Sequence, residues 1–349
     1  MTPFPRVAYR PLTRYAPDRR AIRIDLSDNT NRWGTHPAAM ELVQTASAED
    51  LSRYPSVYAD LLRSTIAETL GVPIECVTTG CGSDDLLDSA FRAAGEPGER
   101  VAFLVPTFSM VETFARMNGM EPRPVLLSAA SDPVAVFADA PALLYLCSPN
   151  NPTGEVFPRP WIEEVLRVAE SRGTIVLLDE AYAEFADDDF LQDAVRSTRL
   201  MVLRTMSKAY GLAGLRVGFA VGAREVIREI EKSRGPYKIS RLGELAAVVA
   251  LRDTEGWVSG VIREVRRERA QLQEDLEARG WNPLPSGGNF ILIPLGGRSC
   301  TETTAALREK GVAVRPFPGV PGIGDAIRVS IGPRDELDQF LVAFDEVVA

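Results

Sequence analysis

The sequence predicts an α/β protein: a three-layer α/β/α large domain with a mostly parallel sheet, joined to a small α+β C-terminal domain. Two observations carry this prediction. Between residues 100 and 222, short and nearly all-apolar runs alternate with stretches of amphipathic helical spacing. After residue 257, a long charged stretch is followed by further apolar runs, which indicate a second and smaller unit.

The apolar runs have the length and composition of strands that are buried on both faces of a sheet. They occupy residues 101–105, 143–147, 174–178, 200–203 and 217–221. An intervening stretch, RPWIEEVLRVAESRG, has the spacing of an amphipathic helix. Regular alternation of strand and helix is typical of a parallel sheet that is covered by helices on each face.

The chain divides into three predicted parts. Residues 1–35 form an irregular arm that packs on the small domain or on a partner subunit, because Pro3, Pro5, Pro11 and Pro17 interrupt any helix. Residues 36–257 form the large domain, which begins with helices after Pro37 and near 58–70, the second ending at Gly71. Residues 258–349 form the small domain, with a long helix over 258–280, strands in NFILIPL and AIRVSI, and a helix in TETTAALREKG.

Composition narrows the class of partner. The 349 residues carry a formal net charge of −9 and no basic cluster, which disfavours a nucleic-acid partner. The four cysteines form no C-x-x-C pair and His36 is the single histidine, so we expect no metal site and a reducing compartment. The sequence shows no secretory signal and no apolar run that could cross a bilayer, so we expect a cytoplasmic protein without a membrane partner.

Polar clusters follow three of the predicted strands, at the point where each strand ends. They are SPNNPTG at 148–154, DEAY at 179–182 and RTMSK at 204–208. Ligands of open α/β sheets bind at the carboxyl ends of the strands. If these strands are neighbours, Asn151, Asp179, Tyr182 and Lys208 share one cleft.

Each cluster also has a simpler interpretation. SPNNPTG has the composition of an ordinary turn, Asp179 could cap the next helix, and Lys208 could be a solvated surface lysine. Their common placement at strand ends favours a site over three independent coincidences.

Over nearly the whole chain, these motifs resemble those of the class I/II aminotransferases, which are fold-type I pyridoxal-phosphate enzymes. The segment SKAYGLAGLRVGF at 207–219 is a third close match, beside SPNNPTG and DEAY. Within that family the chain is most similar to the histidinol-phosphate aminotransferase branch, through RYP at 53–55, GSD at 82–84, PTF at 106–108, VRP at 314–316 and IRV at 327–329. The resemblance implies the pyridoxal-phosphate-dependent transferase fold, pyridoxal 5′-phosphate as the cofactor, and a homodimer.

The resemblance also implies roles around the cofactor ring. Lys208 forms the Schiff base and later moves the proton, as a lysine amine can. Asp179 pairs with the pyridinium nitrogen and keeps it protonated. Asn151 and Tyr182 donate hydrogen bonds to the phenolic oxygen, and Phe108 stacks on the ring.

A second set of residues is expected to hold the cofactor's phosphate. Gly82, Ser83 and Asp84 precede the predicted helix LLDSAFRAAG, whose N-terminal N–H groups form an anion site, although a simple capping role is also open. Further hydroxyl and guanidinium donors are Thr205, Ser207 and Arg216.

By the same resemblance, Tyr54 reaches the phosphate in the other subunit of the dimer; an ordinary buried tyrosine is the alternative.

Four residues are expected to bind the substrate. By resemblance, Arg328 binds the α-carboxylate, with a strand-edge surface arginine as the alternative, and Arg315 receives the substrate phosphate of the histidinol-phosphate branch. Asn29 and Asn289 match positions that line the substrate end.

The chain departs from the branch pattern in two places. Thr30 stands where the branch has glutamate, and Lys238 where it tends to have asparagine. Lys238 and Arg241 either favour an acidic group or are solvated charges at the start of a helix.

The implied activity is a ping-pong transfer of an amino group between an amino donor and 2-oxoglutarate. The donor is histidinol phosphate or an aromatic or other amino acid. A different pyridoxal-phosphate reaction, such as decarboxylation or cyclisation, would use the same cofactor residues. A non-catalytic binding domain is disfavoured, because Lys208, Asp179 and Arg328 are all present.

Overall fold

The structure of the chain is a computed structural model that describes residues 4–14, 16, 18 and 20–349. Pro3 and Pro17, two of the four prolines expected to interrupt the arm, lie outside the described residues. The strands are β1 (Ile24–Asp25), β2 (Val77–Cys81), β3 (Arg100–Val105), β4 (Glu121–Leu126), β5 (Leu143–Cys147), β6 (Ile175–Asp179), β7 (Leu200–Thr205), β8 (Val217–Val221), β9 (Phe290–Pro294), β10 (Val312–Ala313), β11 (Arg315–Val320) and β12 (Gly324–Ser330).

The helices lie where amphipathic spacing is strongest in the sequence. They are α1 (Pro37–Gln44), α2 (Ala48–Ser52), α3 (Asp60–Leu70), α4 (Ser83–Ala94), α5 (Met110–Met117), α6 (Arg159–Arg172), α7 (Leu191–Arg196), α8 (Arg224–Ser233), α9 (Arg241–Arg252), α10 (Trp257–Ala278), α11 (Cys300–Glu309) and α12 (Arg334–Val348). As predicted, α3 ends at Gly71, whose φ of 64° is the left-handed conformation that glycine adopts at low cost.

A seven-stranded sheet forms the centre of the large domain, in the order β2-β8-β7-β6-β5-β3-β4. Strands β3 to β7 run parallel to one another, whereas β8 is antiparallel to both β7 and β2. The prediction of a mostly parallel sheet is confirmed. The apolar-run criterion missed β2 and β4, because β2 contains two threonines and a glycine and β4 is an edge strand with two prolines.

Helices cover both faces of this sheet, since successive side chains of a strand point in opposite directions. On β5, Tyr145 packs in an apolar cluster with residues of α4 and α5. Its neighbours Leu144 and Leu146 pack in a second cluster with residues of α3, α6 and α9. The three-layer arrangement follows directly from strands that are apolar on both faces.

The smaller unit contains the antiparallel sheet β11-β12-β9 and the parallel pair β1-β10. Through β1, residues of the N-terminal arm therefore complete the C-terminal unit. The long helix α10 belongs to the same core, because Val258, Val265 and Leu276 pack with the apolar residues of these strands. Domain boundaries at residues 35 and 257 stay a prediction.

None of the helices in the described part of the chain is long and apolar enough to cross a membrane.

Candidate active site

A cavity of about 770 Å³ opens at the carboxyl ends of the central parallel strands. Strands β5, β6 and β7 are neighbours, and Cys147, Asp179 and Leu203 lie at the same level of the sheet. Because these three strands are neighbours, the polar clusters that follow them lie close together at one edge of the sheet. The cavity wall includes Ser83, Asp84, Phe108, Asn151, Asp179, Tyr182, Thr205, Ser207, Lys208, Arg216, Arg315 and Arg328.

Lys208 lies just after β7, with its Nζ 3.2 Å from the carbonyl oxygen of Asp28, to which it donates. Burial lowers the pKa of this amine to about 7, and the positive charges of Arg328 and Arg216 act in the same direction. Above that pH the amine is mostly neutral and has a free lone pair. Lys208 is therefore not the solvated surface lysine of the simpler interpretation, and a neutral amine of this kind is able to act as a nucleophile.

Asp179 is the last residue of β6 and is buried at the base of the cavity. Its Oδ2 accepts a hydrogen bond from the Tyr145 hydroxyl at 2.8 Å, and its Oδ1 accepts one from the Ala181 N–H at 3.0 Å. Burial raises the pKa of Asp179 to about 6, while these two hydrogen bonds act in the opposite direction. A buried carboxylate of this kind is stabilised by a cationic partner.

Tyr182 forms part of the cavity wall and is held from behind. Its hydroxyl accepts a hydrogen bond from Asn29 Nδ2 at 3.1 Å, and Asn289 Nδ2 donates to the carbonyl oxygen of Asn29 at 3.0 Å. Asn29 and Asn289 are buried behind Tyr182 and do not line the cavity. Burial raises the pKa of Tyr182 to about 12, so this phenol stays protonated at neutral pH.

One end of the cavity is rich in groups that bind anions. Ser83 and Asp84 lie at the N-terminus of α4, after Gly82, which has a φ of 78°. A Cβ at Gly82 would lie 2.5 Å from Nη2 of Arg216, so only glycine lets this guanidinium approach the turn. Thr205 Oγ1 and Ser207 Oγ, 3.0 Å apart, complete this end.

Two arginines lie at the other end. Arg328 donates from Nη1 to Asn151 Oδ1 at 2.6 Å and from Nη2 to the carbonyl oxygen of Ser27 at 2.7 Å. Arg315 Nη2 lies 3.6 Å from Asp28 Oδ1. The Phe317 ring lies beside Arg328, with its centroid 5.5 Å from the guanidinium carbon, and Thr30, Phe108, Met110 and Pro316 also line the cavity.

The loop SPNNPTG is both a turn and part of the site. Asn150 closes the turn through hydrogen bonds from its Nδ2 to Pro106 O at 2.9 Å and to Thr153 Oγ1 at 2.8 Å. The turn thereby directs Asn151 into the cavity, where it accepts the hydrogen bond from Arg328. The two interpretations of this motif are compatible.

A buried ion group lies under the DEAY segment. Arg204 Nη2 is 2.8 Å from Glu180 Oε2, and Arg204 Nη1 is 3.0 Å from Glu184 Oε1. Burial raises the pKa of Glu180 to about 7, against the opposing effect of Arg204. Removal of one partner from such a buried pair costs about 3–5 kcal/mol, so the group holds the segment between Asp179 and Tyr182 in place.

Besides Asn29 and Asn289, three further residues singled out in the sequence do not line the cavity of this chain, namely Tyr54, Lys238 and Arg241. Tyr54 is 82% exposed and packs on the Tyr237 ring, with 4.8 Å between ring centroids, so it is not an ordinary buried tyrosine. Lys238 Nζ is 2.6 Å from Asp85 Oδ1, and Arg241 Nε is 2.7 Å from Asp50 Oδ1. Lys238 and Arg241 are therefore each paired with a carboxylate of this chain, and Arg241 is exposed at the start of α9, as in the interpretation of solvated charges.

Two residues that shape the site, Tyr145 and Asp28, were not predicted from the sequence. Tyr145 lies inside an apolar run, where alternation predicts a core aromatic, and its hydroxyl reaches Asp179 only because β5 and β6 are adjacent. Asp28 contributes its carbonyl oxygen to Lys208 and its carboxylate to Arg315. The sequence signal for Asp28 was its position next to Asn29, which was already expected to bind the substrate.

Comparison with known proteins places these features in a family context. Residues 21–344 match the model of the family described as aminotransferase class I and II. An aromatic amino acid aminotransferase of Streptomyces coelicolor is 34% identical over 93% of this chain and 90% of its own length. A histidinol-phosphate aminotransferase of Synechocystis sp. is 33% identical over 97% of each chain.

A solved structure shows the same fold. It is the histidinol-phosphate aminotransferase of Sinorhizobium meliloti in complex with pyridoxal 5′-phosphate, with a TM-score of 0.85 and 27% identity. The similarity covers 94% of this chain and 92% of that one.

Proposed function

This chain belongs to the class I and II aminotransferases and uses pyridoxal 5′-phosphate, and we propose that it binds the cofactor at Lys208 and moves the amino group of an aromatic α-amino acid to 2-oxoglutarate. One observation carries the proposal. A single cavity contains a lysine with a pKa near 7, a buried carboxylate, an anion-binding end and an arginine beside aromatic side chains.

The residues of the cavity fit the cofactor. The N-terminus of α4 with Thr205, Ser207 and Arg216 would hold its phosphate, a dianion that matches N–H, hydroxyl and guanidinium donors. The close approach of Arg216 to Gly82, which a Cβ would prevent, supports this role. Asp179 would face the ring nitrogen, Phe108 would stack on the ring, and Asn151 and Tyr182 would lie near its phenolic oxygen.

When bound, pyridoxal phosphate supplies an electron sink for the donor's α-carbon. The chain supplies the proton transfers. Lys208 Nζ, whose pKa is lowered to about 7, would take the proton from the donor's α-carbon and deliver it to C4′ of the cofactor, and would carry it back in the second half of the reaction. Donor and acceptor occupy the same cavity in turn, which gives ping-pong kinetics.

The charges at the substrate end favour a carboxylate. Arg328 and Arg315 contribute two positive charges, and Asp28, 3.6 Å from Arg315, contributes one negative charge. Together these three residues carry one net positive charge, which favours an anionic group on the substrate. Phe317, whose ring centroid lies 5.5 Å from the guanidinium carbon of Arg328, provides an apolar wall for an aromatic side chain, and Met110 also lines the cavity.

Histidinol phosphate is the second candidate donor. The specific observation in its favour is that Arg315 and Arg328 both line the cavity, so two guanidinium groups are available for one phosphate. Asp28, 3.6 Å from Arg315, opposes this candidate, because a phosphate would bring two negative charges close to its carboxylate, whereas the second carboxylate of 2-oxoglutarate would bring one.

A donor comparison tests the proposal. With 2-oxoglutarate as the acceptor, we expect kcat/KM for phenylalanine to exceed that for histidinol phosphate. In Arg328→Gln, kcat/KM for phenylalanine should fall by about 10²–10³-fold, since a buried charged hydrogen-bond partner is lost. Ketoacid formation is the measurement, and Arg241→Gln, which removes an arginine outside the cavity, is the matched control. Release of carbon dioxide without a ketoacid acceptor would instead identify a decarboxylase.

We further propose that the active form is a homodimer, with Tyr54 reaching the cofactor phosphate of the partner subunit. Tyr54 is exposed in the single chain and shares its surface with other exposed apolar residues, Leu51, Val57, Leu61 and Tyr237. Exposed apolar surface of this kind is typical of a protein interface.

Sedimentation equilibrium of the holoenzyme should give the mass of two 38.1 kDa chains. Tyr54→Phe should leave that mass unchanged but weaken cofactor retention by about tenfold, the effect of one hydrogen bond to a charged group. A monomer with full activity would contradict the proposal.

A further inference from the structure

A second cavity of about 730 Å³ lies away from the active site. One wall belongs to the large domain, with the residues after Asn151 and those around Phe185. The opposite wall belongs to α10 and to the segment at 284–287. Its size is similar to that of the active-site cavity, yet none of the residues with a proposed catalytic role lines it.

Arg269 on α10 is the distinctive group of this cavity. Its Nη1 donates to the carbonyl oxygen of Gly288 at 2.6 Å, and among the described residues no carboxylate forms an ion pair with it. Burial, together with the like charge of Arg266, lowers the pKa of Arg269 to about 10. A partly buried guanidinium that lacks an anionic partner is stabilised by any anion that enters the cavity.

Two acidic residues of the cavity are engaged by other arginines. Asp187 Oδ1 accepts from Arg266 Nη1 at 2.8 Å, and Asp188 is bound by Arg159 at 2.7 Å. Burial raises the pKa of Glu155. The charge of Asp187 also raises the pKa of Arg269, against the larger effect of burial, but among the described residues Arg269 forms no ion pair of its own with a carboxylate.

The remaining wall is largely apolar. Leu127, Val156, Phe185, Leu284 and Ile323 all line the cavity. Such a wall favours a ligand with an apolar body over a small, strongly hydrated ion. Of the two guanidinium groups in the wall, Arg266 is paired with Asp187, so Arg269 is the one that would bind a carboxylate.

We propose that this second cavity binds an organic carboxylate with an aromatic or aliphatic body, whose carboxylate pairs with Arg269. A ligand there would contact both the large domain and the small one. The contact between them at this place is tight: Gly287 N–H donates to the Gly154 carbonyl oxygen at 2.7 Å, and a Cβ at Gly154 would lie 2.3 Å from Ser286 Oγ. Gly154 ends the loop that presents Asn151, so a segment of three residues connects the wall of this cavity with the wall of the active-site cavity.

Binding of naphthalene-2-carboxylate to the holoenzyme, followed by isothermal titration calorimetry, tests the proposal. We expect affinity to fall by about tenfold or more in Arg269→Gln, which keeps a donor for Gly288 but removes the charge. It should be unchanged in Arg267→Gln, an exposed arginine on the same helix. Naphthalene-2-carboxamide, the neutral analogue, should bind equally weakly to the wild type and to Arg269→Gln.

Two further variants separate this cavity from the active site. Leu284→Trp, which fills the cavity and leaves Arg269 in place, should also abolish binding. Arg328→Gln should retain it. Retention of the wild-type affinity in both Arg269→Gln and Leu284→Trp, or no binding to the wild type, would overturn the proposal.

Discussion

Replacement of Lys208 by alanine is expected to lower kcat by about 10⁴-fold, the upper end of what a positioned acid–base group contributes. The structure shows the reason. Lys208 Nζ is the amine in the cavity whose pKa is lowered to about 7, so it is the group that can both attack a carbonyl and exchange a proton near neutral pH. The variant should also lose the visible absorbance of the lysine-linked cofactor.

The measurements are single-turnover ketoacid formation and the absorbance spectrum of the purified protein. Lys232→Ala is the matched control, because Lys232 is exposed and pairs only with Glu229 on its own helix. We expect wild-type values in that control. Turnover by Lys208→Ala comparable to the wild type would eliminate the proposed chemistry.

Asp179→Asn is expected to lower kcat by about 10²–10³-fold, as for the loss of one preorganised electrostatic group at a reacting centre. The substitution keeps the size of the side chain, and its amide oxygen can still accept from the Ala181 N–H. What it removes is the negative charge that would keep the cofactor's ring nitrogen protonated.

Tyr145→Phe provides a graded comparison with Asp179→Asn. The Tyr145 hydroxyl stabilises the charged form of Asp179, so its loss raises the pKa of that carboxyl above about 6. Asp179 is then protonated at a higher pH, and the acidic limb of the pH–rate profile should move upward. Activity at its optimum should fall by about tenfold or less, the effect of one hydrogen bond. Equal kcat values for wild type and Asp179→Asn would contradict the role of Asp179.

The order of strands and motifs along the chain was predictable because it depends on local composition. Five runs of apolar residues predicted β3, β5, β6, β7 and β8, since strands buried on both faces consist mainly of apolar side chains. Strands that are less buried or more polar do not show this signal. For that reason β2 and β4 were missed.

Partnerships between distant segments were not predictable from local pattern. The antiparallel direction of β8 depends on its pairing with β2 and β7, and nothing in the run VGFAV indicates a direction. The hydrogen bond from Asn29 to Tyr182 joins residues far apart in the sequence. Arg204, at the end of a predicted strand, pairs with Glu180 and Glu184 only because β6 and β7 are adjacent.

By itself, the sequence determined the fold class and the family resemblance and predicted which residues lie around Lys208, because contiguous motifs at strand ends carry this information. The tertiary structure decided how those residues are tuned. In the folded chain, burial lowers the pKa of Lys208 to about 7, and the Tyr145 hydroxyl donates a hydrogen bond to Asp179. Asp28 pairs with Arg315, and Arg269 lies in a separate cavity. Burial and charge proximity arise from contacts between segments that only folding brings together, so no local pattern records them.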